Sequence, residues 1–283
     1  MNRGGYTIVE TMIFLGVTGT LLISAMTLMS GRQASVQFTQ GVTDAQSSMQ
    51  DIIGQVSTGY IPRNTSWKCE VPTPSQASSQ PTFTNTPSNQ GESNSCVFLG
   101  KAIAFRNDTE GGELRVISLA SRRLNAAGKE VSSLLEAKPV PITKITSSAD
   151  SLPDITEVLR LQFGIEVTRI TSIAGEKYGT ILFLSTLPSY QAQTGTLASG
   201  AQRVSFAGLR GSLLTDGIYT SASKLVDFGG NVTINPTGGI VICLADAPIA
   251  KASRKAMLTI GEGAAQTAVK LDIGGYNKVL CED

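Results

Sequence analysis

Between Tyr6 and Met29 the chain runs for 24 residues with a single charge, Glu10. Wound as a helix, that stretch is about 36 Å long, enough to cross a hydrocarbon core of about 30 Å. Arg3 and the starting amine precede it and Arg32 follows it. A basic excess at the start favours an N-terminus on the cytoplasmic side of a membrane. A secretory signal peptide fits poorly. Its apolar core is shorter, and it ends at a small-residue cleavage site beyond that core; here only Met1–Gly5 precedes the run. A plain membrane anchor accounts for the length but not for Glu10. A carboxylate within a span costs several kcal/mol unless it is paired or lifted to the interface. Placement in the headgroup zone, near the helix start, is a third possibility.

The glycines before the run suggest another. A cut after Gly5 would make Tyr6 the first residue and create a new α-amine. Glu10 lies four residues further on, about 6 Å along a helix. Amine and carboxylate can then neutralise each other, within one chain or between neighbours. An acid is also favoured near a helix N-terminus by the free N–H groups and the dipole.

The stretch "RGGYTIVETMIFLGV" closely resembles the type IV prepilin signature: a short basic leader ending in Gly, a bulky first mature residue, Glu at the fifth mature position, then an apolar helix. Gly5, Tyr6 and Glu10 stand in those roles. The resemblance implies cleavage after Gly5 by a prepilin peptidase, N-methylation of Tyr6, and Glu10-dependent assembly into an extracellular filament. It also implies partners in the membrane: other pilin subunits and the inner-membrane assembly machinery. The precursor would be a single-pass membrane protein. Two features depart from the pattern. The leader is short, and the span has Gly16 and Gly19 where many pilins carry a helix-breaking proline. Glycine is a poor helix former, and Gly16 with Thr20 makes a small-xxx-small pair that permits close helix packing.

Past Arg32 the helix is expected to continue as a stalk over residues 30–61. Phe38, Val42, Ala45, Met49, Ile52 and Val56 recur at spacings of four and three, a heptad-like stripe. Gly59–Pro62 is the expected stop, while Gly41 and Gly54 weaken the helical pattern.

Residues 62–283 then read as a β-rich head. Its first part, 71–95, holds four of the 11 prolines and no Lys or Arg, so a surface loop spanning about 70–95 is expected. Cys69 and Cys96 bracket it, and Cys243 and Cys281 complete an even set. Even cysteines behind an export-like N-terminus favour disulfides. Three connectivities exist. Sequential pairing, Cys69–Cys96 and Cys243–Cys281, is preferred because each bridge closes a local loop, the second pinning a C-terminal strand to the sheet.

Strands are expected at "CVFLGKAIAFR" and "LRVISL", joined by "NDTEGGE", and at "GTILFLSTL", apolar enough to be central. "LRLQFGIEVTR" alternates strictly, so Leu159, Leu161, Phe163, Ile165 and Val167 should face one way in a single strand. "NPTGG" between "VTI" and "GIVICLA" signals a hairpin, as does "GEGAAQ" between "AMLTI" and "TAVKLDI". The tail from Gly238 to Cys281 reads as a meander. It resembles the C-terminal sheet of minor pilins of the pseudopilin H type. The expected fold class is therefore α+β: a long N-terminal helix, part span and part amphipathic stalk, packed on an antiparallel sheet.

Composition narrows the chemistry. There is no histidine in 283 residues, which removes His-based triads, His general bases and most zinc sites. No CxxC pair and no phosphate loop is present, and neither a cofactor nor a metal site is implied. A Ser–Lys pairing is left open by the sequence; the chain is otherwise read as a non-enzyme. The net charge of +1 gives no footprint for nucleic acid. Arg122–Arg123 and "KASRK" (Lys251, Arg254, Lys255) are the local basic clusters, expected to be solvated turns. A DNA-uptake role and a non-assembling surface adhesin or receptor are the alternatives to a minor pilin.

Overall fold

The computed structural model describes residues 7–59, 68–72, 74–76, 79–84, 96–108, 111–131, 133–142, 157–185, 204–211, 232–246, 254–261, 268–274 and 278–281. Helix α1 (Ile8–Thr58) runs unbroken for 51 residues, about 77 Å. Thr7 caps its start, and Gly59 closes it in the left-handed conformation (φ 69°), donating its N–H to the Gln55 and Val56 carbonyls. Glycine at that position satisfies the last carbonyls without a Cβ penalty.

The two halves of α1 meet different surroundings. Phe38, Val42, Ala45, Met49, Ile52 and Val56 are all buried, with Ile53 beside them. Burial of each large member stabilises the docked helix by about 1.5–3 kcal/mol. Gly41 and Gly54 do not interrupt the helix. Gly41 is instead a point of close approach: a Cβ there would lie 2.6 Å from Ile165 Cδ1 and 3.0 Å from the Gln162 carbonyl oxygen.

The chain then forms β1 (Lys68–Glu70), β2 (Thr82–Thr84), β3 (Cys96–Asp108), β4 (Gly111–Arg122), a helical turn α2 (Leu134–Ala137), β5 (Val140–Pro141) and β6 (Glu157–Arg160). A 3₁₀ turn at Gln162–Gly164 leads to β7 (Ile165–Ser172), β8 (Tyr178–Ser185), β9 (Val204–Arg210), β10 (Val232–Ile234), β11 (Ile240–Asp246), β12 (Lys255–Ile260), β13 (Val269–Ile273) and the turn α3 (Lys278–Cys281). All pairings among the described residues are antiparallel. The larger sheet has the order β10-β9-β8-β3-β4-β5, with β6 also on β4; the smaller is β13-β12-β11-β7; β1 and β2 form a separate ribbon. The fold is thus α+β.

One core joins the α1 stripe to the inner faces of both sheets. Ile103, Phe105, Leu114, Val116, Ile181 and Phe183 come from the larger, and Ile165, Ile170, Ile242, Leu244 and Leu258 from the smaller. The opposite face of the larger sheet is buried as well, through Leu99, Ile117, Leu119, Leu182, Leu184 and Leu209. This explains why β8 reads as a continuous apolar run: a strand covered on both faces has no polar side to alternate with.

Several local expectations are corrected. The strictly alternating 159–169 segment is two strands, not one. Phe163 (φ 59°) and Gly164 (φ 68°) both adopt left-handed conformations, which turns the chain from β6, on β4, to β7, on β11. Phe163 is consequently exposed, away from Leu161 and Ile165. "NPTGG" is likewise not a hairpin turn. β10 pairs with β9 in the larger sheet and β11 with β12 and β7 in the smaller. Asn235, Gly238 and Gly239, all at positive φ, redirect the chain between layers, and Asn235 is held by hydrogen bonds with the Phe206 backbone. "NDTEGGE" lies largely within strands, since β3 extends to Asp108 and β4 starts at Gly111. The 70–95 segment is not merely a loop: it supplies β2 and the buried Val71 and Ser79. "AMLTI" and "TAVKLDI" do pair, as β12 with β13.

Candidate functional site

Residues 8–27 form the exposed half of α1. Ile8, Met12, Phe14, Leu15, Leu21 and Ile23 are each more than half exposed. Among the described residues this is the one helix long and apolar enough to cross a membrane. Its hydroxyls do not offset that character, because they turn back onto the helix. Thr11 donates to the Ile8 carbonyl (2.9 Å), Thr18 to Phe14 (2.8 Å), Thr20 to Val17 (2.9 Å), Ser24 to Thr20 (2.8 Å) and Thr27 to Ser24 (2.9 Å). A hydroxyl spent on its own backbone leaves an apolar outer surface. Apart from the helix's own neighbouring backbone, no atom lies within 4 Å of where a Cβ would stand on Gly16 or Gly19, so both glycines leave the helix surface open.

Glu10 stands at the head of this half. Its backbone N–H donates to Thr7 Oγ1 (3.3 Å), so Thr7 and Glu10 occupy the first and last positions of a capping-box sequence. The Glu10 side chain is exposed and makes no hydrogen bond or ion pair among the described residues. Gly5 and Tyr6, the expected cleavage and methylation positions, lie outside the described residues, as does Lys251.

Several polar residues and the cysteines of the head have defined partners among the described residues. Cys69 is bonded to Cys96 and Cys243 to Cys281, with Cα separations of 6.1 and 5.7 Å. The first bridge ties the β1–β2 ribbon to the start of β3. The second fastens α3, a helical turn where a strand was expected, over Val241 and Cys243 on the outer face of the smaller sheet. Arg122 is no solvated turn residue. It is buried and donates to the Glu136 and Gln76 carbonyls. Arg254 is bonded to Asp246 through both backbone and side chain, and Arg123 faces Glu130 at 3.8 Å. No cluster of three metal-binding side chains occurs among the described residues.

Among the polar arrangements that went unread in the sequence, two involve shifted titrations. Glu176 Oε2 accepts hydrogen bonds from Tyr178 (2.9 Å) and Thr233 (3.0 Å), while Oε1 pairs with Arg210. The two hydroxyls, joined by the Arg210 charge, hold the Glu176 pKa below the usual carboxylate value. Lys101 on β3 is 1% exposed. Its Nζ donates to Gln55 Oε1 on α1 and lies 4.0 Å from Glu157 Oε2 on β6; Gln55 Nε2 in turn donates to Asp51 Oδ2 at 2.7 Å. Burial pushes the Lys101 ammonium below its ordinary pKa, against the opposing pull of Glu157 and Asp51. The available signal was parity: Lys101 shares the inward face of β3 with Ile103 and Phe105. Compared with known proteins, the chain matches no family model, no curated protein and no solved structure.

Proposed function

We propose that the chain is a type IV pilin-like structural subunit of the minor or pseudopilin kind. It is held in the membrane by the first half of α1, trimmed between Gly5 and Tyr6, and polymerised with its β-rich head outside. The observation that carries this reading is the Glu10 carboxylate: exposed, without a partner among the described residues, and set at the start of a bare apolar helix. Such a group is costly in a finished monomer and useful where a cut supplies an amine one turn away. The self-bonded hydroxyls and the open Gly16 and Gly19 suit a helix that packs against lipid and against like helices.

The test is direct. Co-expression with a prepilin peptidase should yield a chain whose intact mass lacks Met1–Gly5 and carries a methyl group on Tyr6. An intact leader would refute the reading in favour of a plain membrane-anchored surface protein. Glu10→Ala should still be trimmed but should be lost from sheared filaments. Normal incorporation of that variant would remove Glu10 from the assembly step.

A further inference from the structure

The Lys101 environment is unusual for a lysine that only pairs with charge. Its nitrogen is enclosed and abuts a neutral carboxamide oxygen, that of Gln55, with the carboxylate of Glu157 at 4.0 Å. The same carboxamide is fixed at its other end, where Nε2 donates to Asp51 Oδ2 at 2.7 Å. An amine, an amide carbonyl and two carboxylates therefore converge where the last turns of α1 meet β3, with Glu157 approaching from β6.

We propose that this cluster forms an intramolecular isopeptide bond between Lys101 Nζ and Gln55 Cδ, joining helix α1 covalently to strand β3. Glu157 takes one proton from the Lys101 ammonium. The freed lone pair attacks Cδ, one bond from the oxygen that Nζ already touches, and the carbonyl electrons move onto Oε1. The carbonyl then re-forms and the Cδ–Nε2 bond breaks. One proton passes from the attacking nitrogen to Nε2, which Asp51 orients, and the proton held by Glu157 completes the ammonium ion that leaves. An ammonium and a carboxamide thus become a secondary amide and free ammonium, with no oxidant, cofactor or activated donor required.

Three features support the step. Fixed proximity replaces a bimolecular encounter and removes much of the entropic barrier. Burial favours the neutral, nucleophilic amine. The product trades a buried charge for a neutral amide, which relieves desolvation. The inference concerns the head and is independent of whether Glu10 drives assembly.

Intact-mass spectrometry of the full chain, purified in detergent without prepilin peptidase, reads the bond directly. Beyond the about 4 Da removed by its two disulfides, the protein should be lighter than its sequence by one ammonia, about 17 Da. Trypsin should fail to cut after Lys101, leaving the Gln55 and Lys101 peptides joined. Lys101→Arg and Gln55→Met should restore the full mass. Because either could disturb the core, Glu157→Gln, at a half-exposed position, serves as the variant expected to fold and remain unlinked. A wild-type chain at full mass, with Lys101 and Gln55 in separate peptides, overturns the proposal. A link that persists in Glu157→Gln overturns the assignment of Glu157 as the base.

Discussion

The side-chain amide of Asn107 holds both backbone groups of Val167: Nδ2 donates to the Val167 carbonyl (2.8 Å), and Oδ1 accepts from its N–H (3.1 Å). Asn107 belongs to β3 of the larger sheet and Val167 to β7, the edge of the smaller. One side chain therefore does for the β7 edge what a neighbouring strand would do. It acts beside the register shift at Cys243/Leu244, where the β7–β11 ladder is irregular, and Thr168 adds a hydrogen bond to the Cys243 carbonyl there.

Replacing Asn107 by Leu should leave two buried backbone groups without partners, since Val167 is almost fully enclosed. The expected loss is about 1–3 kcal/mol, measured by urea unfolding. Asn107→Asp keeps the acceptor and removes the donor, so it should lie between Leu and wild type. Equal stability of Asn107→Leu and wild type would mean that the two sheets do not depend on this clamp.

The two stalk glycines should respond differently to alanine. Gly54 has open space where a Cβ would stand, so Gly54→Ala should stabilise the helix by about 0.8–1 kcal/mol. At Gly41 the new methyl would press on Ile165 and the Gln162 carbonyl, so Gly41→Ala should forfeit that gain. Gly41→Val should cost about 1–3 kcal/mol. Thermal unfolding of the three variants side by side gives the comparison.

Glu176 sets an acid-side pH dependence. Its folded pKa is depressed by the Tyr178 and Thr233 hydroxyls and by Arg210. The stability it contributes is therefore complete above the unfolded glutamate value, about 4.3, and is lost as pH falls through the lower folded value. The melting-temperature gap between wild type and Glu176→Gln should be constant near neutrality and should close as pH is lowered below about 4. A gap that stays unchanged into strong acid would show that the carboxylate charge does not stabilise the β8–β9–β10 corner.

The Cys69–Cys96 bridge spans 27 positions and links the β1–β2 ribbon to the sheet. The paired Cys69→Ser, Cys96→Ser variant should lose about 2–4 kcal/mol. Limited proteolysis should then begin in the 70–95 segment, which without the bridge loses its covalent tie to β3 and keeps its short ladder, the Arg122–Gln76 hydrogen bond and the packing of Val71. Cutting elsewhere first would place the weak point outside the ribbon.

How much of this was legible depends on what each signal reports. The stripe from Phe38 to Val56 was plain because helix period and burial coincide over five turns. The helix stop at Gly59 was also readable, because a left-handed cap demands glycine. The corner at Phe163–Gly164 was hidden because the apolar alternation keeps its phase from Leu159 to Val167, although the chain changes sheets between them. Alternation reports which face is buried and carries no information about the partner strand. "NPTGG" failed similarly: turn residues announce a change of direction, and the same glycines serve a hairpin or a crossing between layers. At the candidate site, Glu10 stood out because charge is conspicuous in an apolar run. Lys101, Gln55 and Glu157 did not, because they come from three separate elements and only the packing of α1 on the sheet brings them together.

The continuity of α1 gives the molecule a mechanical axis. About 45 Å of helix projects ahead of Phe38, and everything beyond is fastened along the stripe that ends at Val56. Tension applied at Ile8 along that axis reaches the sheets as shear parallel to the interface, so the buried contacts bear it together rather than peeling in succession. A sideways load acts through a long arm on the first contacts, Phe38 and Val42, and levers them open. The chain is thus built to be strong end-on and weak to bending, with Gly41 and the Phe163 corner at the fulcrum.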